Sequence, residues 1–80
     1  MKYFKAADVI FPQKYVANVN ILFDGGLHSF SIAELDWEGE TCFGMRWNVA
    51  RNEWDREDKQ NGSSICLGVP TSHGKPVWFI

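Results

Sequence analysis

Closely spaced turn dipeptides constrain this chain more than any other feature of its sequence. Asp24-Gly25-Gly26, Glu38-Gly39, Asn61-Gly62 and His73-Gly74 punctuate it, and short runs with a period of two lie between them. Such alternation places apolar side chains on one face of an extended strand. Glycine beside Asp, Glu or Asn closes hairpins by taking positive φ. The expectation is a set of antiparallel strands joined by hairpins. Eighty residues with no linker, repeat or low-complexity segment make a single domain, residues 1–80.

A register follows from the turns. With Gly25-Gly26 as a two-residue loop, Phe23 faces His28, Ile21 faces Phe30 and Val19 faces Ile32. With the second turn at Glu38-Gly39, Trp37 faces Glu40, Ile32 faces Met45 and Phe30 faces Trp47. The two registers agree. Val19, Ile21, Phe23, Phe30 and Ile32 join Phe43, Met45 and Trp47 on one face, and a one-residue slip scatters them over both. That face is the expected core of a three-stranded meander.

The opposite face is small and polar. Asn20, Ser31 and Arg46 form one cross-strand row, Asn18, Ala33 and Gly44 the next, and Trp37 lies toward the end of the same face. Asn is a poor strand former, so its presence needs a reason. One reason is an edge strand. Another is function: amides, a hydroxyl and a guanidinium together suit a polar or anionic group. Asn20, Ser31, Arg46 and Trp37 are thus the candidate residues for a ligand or partner. Should a helix or a partner subunit cover this face, Arg46 is expected to pair with Glu53 or Asp55.

Residues 48–63 are too long for a hairpin loop. A short helix is expected there, with Asn52 as N-cap, Trp54 as its only large anchor and Gly62 beyond its end. The alternative is a third hairpin with Trp47 and Trp54 packed across it. The charges at Glu53, Asp55, Glu57 and Asp58, interleaved with Arg51, Arg56 and Lys59, read as a solvated helix face. Strands are expected at Ser64–Val69 and Val77–Ile80, and a turn of helix or an edge strand at Lys5–Val9. The fold class is mostly β: an antiparallel sheet of about five strands, curled toward a small barrel, with one short helix.

Recognisable catalytic chemistry is missing. His28, Cys42, Cys66 and His73 lack the spacing of a zinc site. Asp24-Gly25-Gly26 lacks the Lys and the helix of a phosphate loop. Glu34 and Asp36 read as a solvated sheet edge, and Cys42 and Cys66 as reduced, half-buried side chains. No cofactor, metal or catalytic residue is expected. The first residues, Met1-Lys2-Tyr3-Phe4-Lys5, carry no apolar stretch of signal-peptide length. The longest apolar run, Val77–Ile80, is too short for a membrane span. The expectation is a cytoplasmic protein without membrane contact.

Six Phe, four Trp and two Tyr are more rings than a domain of this size hides. A homodimer is therefore expected, with Trp54 and Trp78 as its contact rings beside Trp37. The net charge of −2 argues against nucleic acid. The expected role is a non-enzymatic binding or interaction module for a protein partner or small ligand. The alternative is a small β-barrel that binds single-stranded nucleic acid through rings and Arg46.

Two stretches, Phe43-Gly44-Met45-Arg46-Trp47-Asn48 and Pro70–Phe79, together with the short length and high Trp content, resemble the orphan proteins of bacterial mobile elements, including integron gene cassettes. The resemblance implies a bacterial cytoplasmic protein and carries over no site residues.

Overall fold

The computed structural model describes residues 1–80. Three strands, β1 (Val16–Asp24), β2 (Phe30–Trp37) and β3 (Glu40–Trp47), form an antiparallel meander in that order. One turn of helix, α1 (Glu57–Gln60), and a hairpin of β4 (Thr71–Ser72) with β5 (Lys75–Pro76) follow. The protein is mostly β, with five strands in two antiparallel sheets and one short helix. The expected barrel does not form, because β4 and β5 pair only with each other and leave the larger sheet open.

The β2–β3 register is as the turn dictates. Glu38 (φ 50°) and Gly39 (φ 86°) make the tight turn, which sets Trp37 opposite Glu40, Ile32 opposite Met45 and Phe30 opposite Trp47. The β1–β2 register differs from expectation. Phe23 pairs with Ile32 and Asp24 with Ser31, so the turn moves to Leu27–His28. Gly25 stays in the ladder, its N–H donating to Phe30 O at 2.9 Å. Asn48 holds this arrangement from outside the hairpin. Its Nδ2 donates to Gly26 O (2.7 Å) and Asp24 Oδ1 (3.2 Å), while its Oδ1 accepts from Ser31 Oγ (2.8 Å). Two bulges in β1, one at Asn18 (φ 53°), add a residue each. They turn Val19 and Ile21 to the side opposite Phe23, where both pack on the core.

The larger correction concerns which face is the core. Ser31, Ala33, Leu35, Gly44 and Arg46 are buried, whereas Phe23, Phe43, Met45 and Trp47 are exposed. The small face is a socket. A single 3₁₀ turn at Ala6–Asp8 brings Ala6 and Val9 onto it, and Trp78 fills the rest. Gly44 is required by this fit: a Cβ there would come within 3.0 Å of both Leu35 Cδ2 and Trp78 Cβ. Small strand residues thus receive a large ring from elsewhere in the chain. The molecule measures 40 × 24 × 15 Å. Its thinnest dimension holds a sheet and one covering layer, since stacked layers lie about 10 Å apart.

The remaining segments are less regular than expected. A 3₁₀ turn (Arg51–Glu53) and α1 replace the single helix of residues 48–63. Its anchors are the buried Glu53 and Lys59, whereas Trp54 is exposed. Strands expected at 64–69 and 77–80 reduce to single bridges: Cys66 with Tyr3, Val69 with Trp47, and Phe79 with Met45. No helix is long and apolar enough to cross a membrane.

The inverted core is testable by equilibrium chemical denaturation in dilute solution. Leu35→Ala is expected to cost about 3 kcal/mol, and Phe43→Ala less than about 1 kcal/mol. The reverse order would return the core to the Phe43 face.

Candidate functional site

The residues singled out in the sequence do not share a surface. Ser31 and Arg46 lie on the same face, as expected, but both are buried. Asn20 is opposite Glu34, on the other side of the sheet, because of the bulge at Asn18. Trp37 is half-buried, its ring centroid 5.5 Å from that of Tyr15. Trp78 is interior, and its Nε1 donates to Val9 O at 2.7 Å, which removes it from any contact between copies. Of the named rings, only Trp54 stands well exposed.

Arg46 is a structural charge. Its guanidinium donates to the carbonyl oxygens of Val77 (2.5 Å), Leu67 and Pro70 (3.5 Å). Burial pulls its pKa down to about 10, against the opposing field of Glu53. The expected Arg46–Glu53 pairing is thus a through-space attraction and not a salt bridge. Glu53 instead collects backbone N–H groups, those of Ala50 (2.9 Å), Gly68 (2.9 Å) and Leu67 (2.8 Å), with Lys59 Nζ at 3.4 Å. Lys59 in turn donates to Ile65 O at 2.6 Å. No buried side-chain polar atom lacks a partner. This network ties residues 48–70 to the sheet, with its buried polar atoms paired within the chain. Its acidic and basic members sit within a charged run that reads as solvated, and no periodicity marks the two that turn inward.

The surface that remains is the outer face of the meander. Phe23, Phe30 and Trp47 run across all three strands, with centroids 5.3 Å and 5.6 Å apart. Ile32 and Met45 form the adjacent row, and Phe43 lies beyond it opposite Glu34. Val69 and Phe79 extend the face past β3 through reciprocal backbone hydrogen bonds. Trp47 N–H donates to Val69 O at 2.7 Å and Val69 N–H returns at 3.1 Å; Met45 and Phe79 do the same at 2.8 and 2.9 Å. Exposure is 63% at Phe43, 68% at Phe79, 48% at Trp47 and 47% at Phe23. Arg46 is the only Lys or Arg in the three strands, and it points away from this face. Sequence alternation marks these residues as one set, but it assigns them to the interior.

Other chemistry is sparse. Cys42 and Cys66 are free thiols, and burial, aided by the field of Glu53, pushes the Cys66 thiol up. No group of three or more His, Cys, Asp or Glu gathers as a metal site would require. Compared with protein-family models, curated proteins and solved structures, the chain matches none.

The Glu53 network has a pH signature. Burial alone would raise its carboxyl, but the N–H groups of Ala50, Leu67 and Gly68 and the Lys59 ammonium outweigh burial and set it below 4.5. The unfolded chain therefore takes up this proton at a higher pH than the folded one. The stabilisation is complete above the unfolded value and is lost as pH falls through the folded value. Stability measured by denaturation should decline with acid below about pH 4.5, and Glu53→Gln should flatten that decline. An unchanged acid slope in the variant would place the titration elsewhere.

Proposed function

We propose that this chain is a non-enzymatic interaction module whose outer sheet face pairs with the same face of a second copy. The observation that carries the reading is the aromatic row Phe23–Phe30–Trp47, continued by Phe43 and Phe79, on a face that nothing in the chain covers. Free aromatic side chains present about 150–250 Å² each, so Phe23, Phe43, Trp47 and Phe79 leave on the order of 450 Å² of ring surface in water. Met45 and Val69 enlarge it toward the roughly 800 Å² per partner of a standard interface.

Two features favour a second copy over another occupant. A two-fold interface brings each group near its own kind. The row Phe23–Phe30–Trp47 is uncharged, and the carboxylates of this face, Glu34 and Asp36, lie beyond Ile32 toward the far end of β2. An axis through the row therefore brings ring to ring. Edge-to-edge pairing is blunted, because the free edge strand, β1, carries two bulges. The lack of Lys and Arg on this face weighs against single-stranded nucleic acid, whose binding needs positive charge beside the rings. The groups with catalytic potential, Arg46 and Glu53, are spent on backbone hydrogen bonds.

Sedimentation velocity is the test. The wild-type chain should sediment as a dimer of twice 9.2 kDa at tens of micromolar. Phe43→Ser and Phe79→Ser alter exposed rings, and each should weaken dimerisation by at least about tenfold without loss of fold. A monomeric wild type at these concentrations overturns the reading. Steeply salt-dependent binding of a short single strand would favour nucleic acid instead.

A further inference from the structure

One end of the outer face opens into a concavity of about 560 Å³ that shares Trp47 and Val69 with it. Small-molecule sites span about 300–1,000 Å³ and combine apolar walls with a few polar groups. Two indoles, Trp47 and Trp54, line this one. His28 stands edge-on to Trp54, with centroids 4.4 Å apart and planes at 62°. Val49, Ala50 and Val69 add aliphatic surface.

Arg51 supplies the charge. It lines the same concavity, is exposed, and forms no ion pair, since the ion pairs of the chain are Arg56–Asp58 and Glu53–Lys59. Its guanidinium is therefore free to meet an anion. The surrounding segments are anchored independently. His28 sits in the turn held by Asn48, Arg51 and Trp54 flank the buried Glu53, and Val69 is bonded to β3. Preformed aromatic walls beside one unpaired cation match a flat apolar body bearing one negative charge.

We propose that this pocket binds a small aromatic carboxylate, with the ring against Trp47 and Trp54 and the carboxylate on Arg51. A cationic aromatic is disfavoured by Arg51, and a neutral one gains no charge attraction from the guanidinium, which stays in water. The site lies within one chain and does not rest on self-association.

The probes are indole-3-acetate and its neutral counterpart indole-3-acetamide, titrated into the protein while the four Trp indole N–H signals are followed by NMR. The acetate should shift Trp47 and Trp54 saturably below about 1 mM, with Trp78 unmoved behind its bond to Val9. The acetamide should bind at least about tenfold more weakly. Arg51→Gln should reduce the acetate to the level of the acetamide, and Trp54→Ala should weaken both. Equal affinity for acid and amide, a preference surviving in Arg51→Gln, or no saturable shift at Trp54 would each overturn the proposal. The titration is repeated on Phe79→Ser, which disrupts the dimer face but lies outside the pocket. Unchanged binding there supports a site within one chain, and lost binding overturns it.

Discussion

A carboxylate in the interior organises this chain. Glu53 accepts N–H groups from Ala50, Leu67 and Gly68 and lies beside the ammonium of Lys59. Burying a charge is costly unless donors surround it, and here they do. The Leu67 residue is gripped from both sides, its N–H by Glu53 and its carbonyl by Arg46. Gly68 completes the clamp. Its φ is +71°, and a Cβ there would run into Trp47 O and the Arg46 guanidinium and approach Asn48 O to 2.8 Å. Residues 48–70 contain a 3₁₀ turn and one turn of helix, so these charges, more than regular structure, hold the segment on the sheet.

The layering follows from what reaches the small face. The N-terminal turn and Trp78 cover it, the 48–70 segment is tied beside β3, and an 80-residue chain has little left for the outer face. The buried face is the polar and small one because its charges find backbone partners and its small residues accept Trp78. The apolar face stays in water. Polar residues thereby do structural work inside, while rings stay exposed outside, the reverse of the usual assignment from alternation.

Trp47 joins the two surfaces. Its ring meets Phe30 within the outer face and also lines the pocket with Trp54. Its backbone pairs with Val69 at the clamped loop. Val69, next to the clamped Leu67 and Gly68, is thus the point at which the buried charges bear on both surfaces.

Local chemistry in the sequence determined the antiparallel strands, the Glu38-Gly39 turn, the β2–β3 register that follows from it, and the partition of those strands into an apolar and a small polar face. Each depends on residues that are neighbours in the chain. The aromatic surplus likewise announced rings in water. The tertiary structure alone decided which face is covered, since Ala6, Val9 and Trp78 come from the far ends of the chain. It decided the β1 register, which Asn48 holds from 22 residues beyond Gly26. It also turned Arg46 from a candidate ligand-binding residue into an anchor, because its partners are carbonyls 21 to 31 residues away. Period-two alternation says that a strand has two unlike faces; only the groups that arrive from a distance determine which of them meets water.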